Sequence, residues 1–365
     1  MKNKLFEITL LGIVLIVSGG SGLVSEKQAK SKPMPVNIII FIGDGMGPAQ
    51  LSAGIAVSDN TLVVEYFPYS GFCKTSAFNN YVTDSAAAGT AIACGTKTKN
   101  GMIGMGPDST SVKSIMEIAH ANGLATGLVS TSAITHATPA SFVAHNSGRG
   151  NYEDIAKDFM TGTIDVFIGG GIDHFRRRKD SIDLTLDLKK QGYDVVYTIE
   201  DMQKSGSSKI AGLLAKERME SALGGRAGKL PKMTEKAIEV LSKNKKGFIL
   251  MVEGSEIDFA GHAKDINRVT SEVIDLDQAV AEAYKFAKAK GNTLVIVTAD
   301  HETGGLTLPD GDLNNHKVVA NFGSTGHTAV LVPVFSFGPG AEKFSGIHEN
   351  TFFFNQFVEI LGLMK

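Results

Sequence analysis

The chain has 365 residues, 43% of them hydrophobic, enough for a large core in one elaborated domain or two smaller ones. A formal net charge of −2 gives no basic footprint for nucleic acid, so no nucleic-acid partner is expected. Cys73 and Cys94 are too few for a disulfide scaffold or a thiolate metal site. We expect two buried free thiols, with one disulfide between them as the alternative.

The first 35 residues have the pattern of an export signal followed by a linker. Lys2 and Lys4 precede the apolar run 8–17, and small residues follow at 18–22. The run is short for a bilayer span, and a buried strand is its alternative interpretation. We interpret residues 1–24 as a signal peptide, 25–35 as a polar linker and 36–365 as the folded domain. The expected protein is exported, periplasmic or secreted, with no stable membrane anchor after cleavage.

Apolar runs alternate with helical patterns along the rest of the chain, which predicts an α/β fold with a central, mostly parallel sheet and helices on both faces. The run 37–42 is too apolar for a sheet with one face in water. Similar runs recur at 126–129, 166–168, 248–252, 294–297 and 332–337. Helices are predicted at 109–122 and 265–290. The polar segment around 176–232 is interpreted as a peripheral insertion.

The stretch 81–95 changes from a loop to an Ala-rich helix at Asp84 and Ser85. Both residue types are common helix N-caps, so one interpretation gives Ser85 a capping role alone. The free N–H groups of a helix N-terminus also favour a phosphate, and a serine there can attack a phosphorus atom held against them. The nearest His in sequence is the distant His120, so an attacking Ser85 would need another activator, such as a metal ion.

Three of the apolar runs end in a carboxylate. Asp44 follows the run 37–42, Glu253 follows 248–252, and Asp300 follows 294–297. The carboxyl ends of strands in an open α/β sheet are where sites form. Carboxylates crowded at one edge would repel one another strongly unless cations lay among them. The sequence therefore predicts a metal centre at this edge.

The ligand types predict the kind of metal. Two sets of His and carboxylate side chains suit zinc, the first with an open position. One set is Asp258, His262 and His327, and the other is Asp44, Asp300 and His301. A third set is rich in oxygen and suits magnesium. Its members are Asp44, Thr138 and Glu253.

Five motifs, in the family's order along the chain, resemble those of the alkaline phosphatases. They are G-D-G-M-G at 43–47, T-D-S-A-A at 83–87, E-G-S-x-I-D-x-A-G-H at 253–262, T-A-D-H-E-T-G-G at 298–305 and G-H-T at 326–328. Each motif alone is weak, but the set is highly specific and extends from about residue 36 to the last strand.

The resemblance implies hydrolysis of small-molecule phosphate monoesters through a phosphoserine at Ser85. It implies two Zn²⁺ and one Mg²⁺ per chain, held by the three sets above, and a phosphate gripped by the guanidinium of Arg149. It also implies a homodimer, although this chain is short for the family and has less room for the surface insertions that often build dimer contacts.

The chain departs from the best-known bacterial pattern beside the third metal, where His136 replaces an Asp. A neutral His there is interpreted as a partner of metal-bound water rather than a direct ligand. Phe259 stands where relatives often have Lys, His or Trp, which removes a water-bridged phosphate contact. Four alternatives stay open: a phosphodiesterase or phosphomutase of the same superfamily, a sulfatase, whose local motif fits poorly, and an exported phosphate- or zinc-binding protein without turnover.

Overall fold

The computed structural model describes residues 36–312 and 314–364. The predicted signal peptide (1–24) and linker (25–35) lie outside the described residues. In the part of the chain that the structure describes, no helix is both long and apolar enough to cross a membrane.

Ten strands of the described chain form one central sheet, in the order β14-β2-β13-β8-β1-β7-β3-β4-β6-β5. The remaining four strands form two small two-stranded sheets. The strands are β1 (Asn37–Gly43), β2 (Tyr69–Lys74), β3 (Ala125–Ala133), β4 (Val166–Gly170), β5 (Asp194–Val196), β6 (Ile210–Leu213), β7 (Phe248–Gly254), β8 (Thr293–Thr298), β9 (Glu302–Thr303), β10 (Leu306–Asp312), β11 (Lys317–Phe322), β12 (His327–Thr328), β13 (Val332–Phe337) and β14 (Gly346–Glu349).

The central sheet is parallel except at β13, which pairs antiparallel with both β8 and β2. All seven residues of β1 are buried, as expected for a strand covered on both faces. Each predicted apolar run lies within a strand of this sheet. The predicted α/β fold with a mostly parallel central sheet is thus confirmed.

The helices form two groups by their contacts. Helices α1, α9 and α11 pack together on one side, whereas α2, α3, α4 and α12 pack together on the other, and β7 contacts members of both groups. The helices are α1 (Pro48–Val57), α2 (Ser85–Cys94), α3 (Ile115–Ala121), α4 (Ala137–Ala140), α5 (Tyr152–Asp158), α6 (Ile172–Arg176), α7 (Leu184–Lys190), α8 (Ile199–Lys204), α9 (Lys229–Leu241), α10 (Glu256–His262), α11 (Ile266–Lys290) and α12 (Phe352–Ile360).

Capping residues explain where two of the predicted helices begin or end. Helix α11 begins after the N-cap Asp265, whose side chain accepts a hydrogen bond from the Arg268 N–H, and ends at Gly291 with φ of 71°. The predicted start of α3 at residue 109 was wrong. The helix begins at Ile115, because Ser114 and Glu117 form a capping box there.

The segment 176–232 contributes two strands to the main sheet. Strand β6 pairs parallel with β4, and β5 pairs parallel with β6, so the segment forms one edge of the sheet. Cys73 lies in β2 and Cys94 ends α2, and both are buried free thiols, as expected. Burial raises the pKa of the Cys73 thiol to about 12.

Candidate active site

The predicted carboxylates meet at one edge of the central sheet. Strands β1, β7 and β8 are neighbours and run parallel, so their carboxyl ends lie side by side. Asp44 directly follows β1, Glu253 lies near the end of β7, and Asp300 lies just beyond β8. All three side chains are fully or almost fully buried. The edge predicted from the apolar runs is the edge at which these acids gather.

A tight turn at Gly45 holds this arrangement together. Gly45 has φ of 73°, and a Cβ at this position would lie 2.7 Å from Thr303 Oγ1 and 2.9 Å from Asp258 Cα. Its N–H donates to Asp300 Oδ1 at 3.1 Å. Only glycine combines this conformation with this close approach, so the turn brings the segments after β1 and β8 together.

Ser85 is the first residue of α2 and points its hydroxyl into the site. The helix cap is Asp84, whose Oδ1 accepts a hydrogen bond from the Ala87 N–H at 3.0 Å. Capping therefore belongs to Asp84 rather than to Ser85. The Ser85 Oγ lies 3.2 Å from His301 Nε2, and the residue is 1% exposed. Its hydroxyl thus sits at a helix N-terminus among the predicted metal ligands.

The structure brings the first predicted zinc set together. His262 Nε2 lies 3.3 Å from Asp258 Oδ2, and His327 Nε2 lies 3.5 Å from Asp258 Oδ1. The other ring nitrogen of each His contacts a backbone carbonyl. His262 Nδ1 lies 2.5 Å from Thr325 O, and His327 Nδ1 lies 2.9 Å from Thr83 O. A carbonyl accepts only from a protonated nitrogen, so in the neutral form of each imidazole the proton is on Nδ1 and Nε2 has the lone pair that can bind a metal.

The second predicted set converges on His301. Its Nε2 lies 3.4 Å from Asp44 Oδ1 and 3.2 Å from Asp300 Oδ2. Ligand atoms of Asp44, Asp258 and His301 also lie close enough to hold one ion. Asp258 is therefore adjacent to both zinc sets, as a residue between two neighbouring ions would be.

The structure places a nitrogen, from His136, beside the oxygens of the third predicted set. Ligand atoms of Asp44, His136 and Glu253 lie within 4.8 Å of one another, so a His136 ring nitrogen is near enough to bind an ion directly. Six buried atoms at this edge have no hydrogen-bond partner among the described residues. They are both carboxylate oxygens of Asp44, Asp300 Oδ2, Glu253 Oε1, His136 Nδ1 and Thr138 Oγ1.

These unpartnered atoms fit the predicted metals. Leaving a buried polar atom unpaired costs about 1–3 kcal/mol, so native structures rarely tolerate several together. Carboxylate oxygens with imidazole nitrogens suit zinc, and carboxylate and hydroxyl oxygens suit magnesium. The residues present therefore have the chemistry that divalent cations require.

The pKa values of the buried acids reflect the same excess of negative charge. Burial, and then the neighbouring Asp300, raises the pKa of Asp44 well above its usual value. Burial likewise raises the pKa of Asp300 and of Glu253 to about 6. Burial also acts to raise the pKa of Asp258, but the hydrogen bond with His262 and the nearby His301 and His327 together outweigh it and hold that pKa below the usual range. Bound cations would neutralise this charge.

Arg149 reaches the same site from the loop after α4. Its Nη1 donates to Asp84 Oδ2 at 2.9 Å, and its Nη2 lies 3.4 Å from His136 Nε2. The guanidinium therefore lies between the cap of the Ser85 helix and the third ligand set. A phosphate bound at the N-terminus of α2 would therefore lie close to the Arg149 guanidinium.

Two parts of the site were missed from the sequence. Thr303 Oγ1 donates to Asp258 Oδ1 and so fixes a carboxylate shared by two ligand sets. Ser130 Oγ donates to Glu253 Oε2 at 2.5 Å and lies 3.0 Å from the Ser255 hydroxyl. Thr303 belongs to the T-A-D-H-E-T-G-G motif and Ser130 continues the run 126–129, so both lay next to recognised signals.

Buried, unpartnered acid, histidine and hydroxyl atoms gathered around the N-terminus of α2 are the arrangement expected of a metal-dependent phosphohydrolase on an α/β sheet. The model of the alkaline phosphatase family matches residues 36–321. The chain belongs to the alkaline phosphatase family, whose members are metal-dependent enzymes that hydrolyse phosphate monoesters.

Individual relatives extend the likeness over most of the chain. Alkaline phosphatase 4 of Bacillus subtilis is 34% identical, with 96% of this chain and 95% of the relative covered. Alkaline phosphatase of Escherichia coli is 32% identical, with 98% of this chain and 92% of the relative covered. The solved alkaline phosphatase of the Antarctic bacterium TAB5 is 42% identical, with a TM-score of 0.87 over 91% of this chain and 99% of that chain.

Proposed function

We propose that this phosphomonoesterase acts through a covalent phosphoserine at Ser85. Support comes from one arrangement: the Ser85 hydroxyl stands at the N-terminus of α2, 3.2 Å from His301 and free of the capping role that Asp84 fills. The N–H groups of that helix end favour the charge of a phosphate. Phosphoryl transfer requires mainly positioning and neutralisation of charge, which this arrangement supplies.

The proposed reaction has two displacements at phosphorus. The Ser85 Oγ attacks, the Oγ–P bond forms, and the ester P–O bond breaks in line as the alcohol leaves. Water then attacks the phosphoserine from the vacated side, which releases inorganic phosphate and restores the Ser85 hydroxyl. Arg149 is proposed to grip two non-bridging oxygens of the phosphate and to hold them in the same orientation during both displacements.

No described side chain beside Ser85 is suited to act as its base. His301 Nε2 is within hydrogen-bond distance, but burial lowers the pKa of His301 to about 4, so this imidazole accepts a proton poorly at neutral or alkaline pH. Bound divalent cations would supply the missing activation by lowering the pKa of the hydroxyl and of water and by neutralising phosphoryl charge.

We propose two Zn²⁺ and one Mg²⁺ as these cations. The zinc ligands are proposed to be Asp258, His262 and His327 in one site and Asp44, Asp300 and His301 in the other. The magnesium ligands are proposed to be Asp44, Thr138 and Glu253, with His136 beside them. Support comes from the six unpartnered buried atoms of this edge.

His136 bears on the identity of the third metal. In the structures of the TAB5 enzyme, variants with Asp or Glu in place of one histidine have Mg bound in a site called M3. We propose that His136 lies at the corresponding site and binds metal-held water rather than the metal. Its nitrogen is also close enough for direct ligation.

Export to the periplasm or the medium and a homodimeric assembly are also proposed. The first rests on the Lys-flanked apolar run at 8–17 and the second on the family.

The experiment that tests the proposed function is a metal analysis of purified protein combined with assays on a phosphate monoester and a diester. We expect bound zinc and magnesium, loss of activity on chelation, and recovery when both metals return. Preference for the monoester would support the proposal, and preference for the diester would favour a phosphodiesterase. Full activity in metal-free protein would contradict the proposed metal role, and metal binding without turnover of either ester would favour a binding protein.

A further inference from the structure

The segment that follows β6 crosses the carboxyl ends of the neighbouring strands. Its Leu214 N–H donates to Gly169 O at 2.7 Å, and its Met219 N–H donates to Thr131 O at 3.0 Å. The backbone on both sides of Arg218 is therefore fixed to the edge of the sheet where the active site lies. This places Arg218, from the polar segment 176–232, beside that site.

Arg218 stacks on an aromatic ring of the site. Its guanidinium carbon lies 4.1 Å from the centroid of the Phe259 ring, within the range of a cation–π contact. Phe259 belongs to α10 and lies between two ligands of the first set, Asp258 and His262. The Phe259 ring is also 6.0 Å from the His136 ring. The ring therefore holds the Arg218 charge near the third ligand set.

The hydrogen-bonding capacity of Arg218 is unused among the described residues. Its one ion pair joins Nε to Glu256 Oε1 at 3.7 Å, which is too long for a hydrogen bond. Glu256 also pairs with Arg268, so one buried carboxylate faces two guanidinium groups. The Arg218 side chain is 46% exposed, so its fork is open to a dissolved ligand.

Arg218 and Arg149 reach the third ligand set from different elements. Arg218 follows β6 and stacks on Phe259, whereas Arg149 lies in the loop after α4, with its Nη2 3.4 Å from His136 Nε2. Arg149 donates to Asp84 and is proposed to hold the reacting phosphate, whereas the Arg218 guanidinium makes no hydrogen bond among the described residues.

We propose that Arg218, held on Phe259, binds a second anionic group carried by the alcohol part of the substrate. The preferred substrates would then be phosphate monoesters whose alcohol bears a further phosphate, because a planar guanidinium binds such an oxyanion through two parallel hydrogen bonds. This inference rests on the proposed function, since Arg149 and the helix end must hold the reacting phosphate. Phe259 serves here as the platform for that cation.

The test compares the mono- and bisphosphate esters of straight diols from propane-1,3-diol to hexane-1,6-diol. The wild-type kcat/KM is expected to favour the bisphosphate at the length that spans the two sites. Arg218→Gln should reduce that preference about tenfold, as expected for one exposed charge-assisted hydrogen-bond pair, while the monophosphate loses much less. Arg218→Lys should restore only part of the preference, because an ammonium group cannot reproduce the fork.

Lys285→Gln is the matched control for the loss of a surface charge. Lys285 is 75% exposed on α11, whose end at Lys290 lies next to the start of β8 and so at the opposite edge of the sheet. This variant should keep the full bisphosphate preference. An equal loss on both esters in Arg218→Gln, or the same loss in Lys285→Gln, would overturn the inference.

A binding measurement separates this inference from the proposed mechanism. In the Ser85→Ala background, calorimetry should give tighter binding of the bisphosphate than of the monophosphate, and addition of Arg218→Gln should remove the difference. If the wild-type protein does not hydrolyse the esters but this difference is found, the proposed function fails and the Arg218 site stands. If hydrolysis is normal and neither kinetics nor binding distinguishes the two esters, the Arg218 site fails and the proposed function stands.

Discussion

Asp84 joins the helix that begins at Ser85 to Arg149. One carboxylate oxygen of Asp84 accepts a hydrogen bond from the Ala87 N–H at 3.0 Å, and the other accepts from Arg149 Nη1 at 2.9 Å. The same Oδ2 accepts from the Gly101 N–H at 3.0 Å. The position of the guanidinium is therefore fixed relative to the start of α2 and to Ser85.

The fixed guanidinium leads to a prediction about substrate class. A monoester dianion offers Arg149 two non-bridging oxygens, whereas a diester has lost one to its second ester group. Arg149→Ala should cost about 2–3 kcal/mol of transition-state stabilisation on a monoester, and much less on a diester. Steady-state kinetics on both esters measure the difference. Arg177→Ala, which removes an exposed arginine paired with Asp173, is the control. An equal loss on both esters, or none, would remove Arg149 from the site.

A second prediction concerns His136. Burial is the first reason that its pKa is about 4, so the ring is neutral at the pH of an alkaline phosphatase and brings no charge to the third set. His136→Asp adds a carboxylate next to Asp44 and Glu253, and should lower the magnesium concentration for half-maximal activity about tenfold or more. Magnesium titration of metal-depleted protein measures this.

The control for that titration is His316→Asp, which places the same carboxylate at an exposed turn. It should leave the magnesium requirement unchanged. If His136→Asp also leaves it unchanged, His136 lies away from the metal. If His136→Asp instead weakens magnesium binding, the added carboxylate does not reach the third set as proposed.

A third prediction follows from Thr303, which the sequence did not identify as part of the site. Its hydroxyl donates to Asp258 Oδ1 and lies 3.3 Å from His301 Nδ1, so it orients residues of both zinc sets. Thr303→Val removes the hydroxyl at nearly constant volume and should weaken zinc retention about tenfold or more. Competition with a chelator measures zinc affinity directly. Thr303→Ser, which keeps the hydroxyl, should retain zinc as the wild type does, and equal retention by the valine variant would contradict this role.

The main sheet and most of the site could be predicted because both depend on local patterns. Fully buried strands are continuous apolar runs, and a carboxylate such as Asp44 or Asp300 directly after a run must lie at the carboxyl edge of the sheet. The direction of β13 could not be predicted, since an apolar run does not distinguish antiparallel from parallel pairing. The predicted start of α3 was wrong because the Ser114–Glu117 capping box was not recognised in the sequence.

The contributions of Thr303 and Arg218 depend on tertiary contacts. Thr303 acts only because the Gly45 turn brings its hydroxyl against Asp258. Arg218 lies in a polar segment without apolar periodicity, and its proximity to Phe259 arises from the sheet order that places β6 next to β4. Sequence patterns report which residues enter an element, but they do not report which distant side chains meet.

The most direct test of the central claim is to trap the covalent intermediate. Metal-loaded enzyme would be mixed with a monoester carrying labelled phosphate, quenched in acid and digested, and the labelled residue identified by mass spectrometry. We predict the label on Ser85, its absence from Ser85→Ala, and its retention in Ser52→Ala, which removes an exposed hydroxyl that donates to Pro48 O. Label that persists in Ser85→Ala, or turnover by the wild-type enzyme with no labelled serine under any quench condition, would contradict the proposed mechanism.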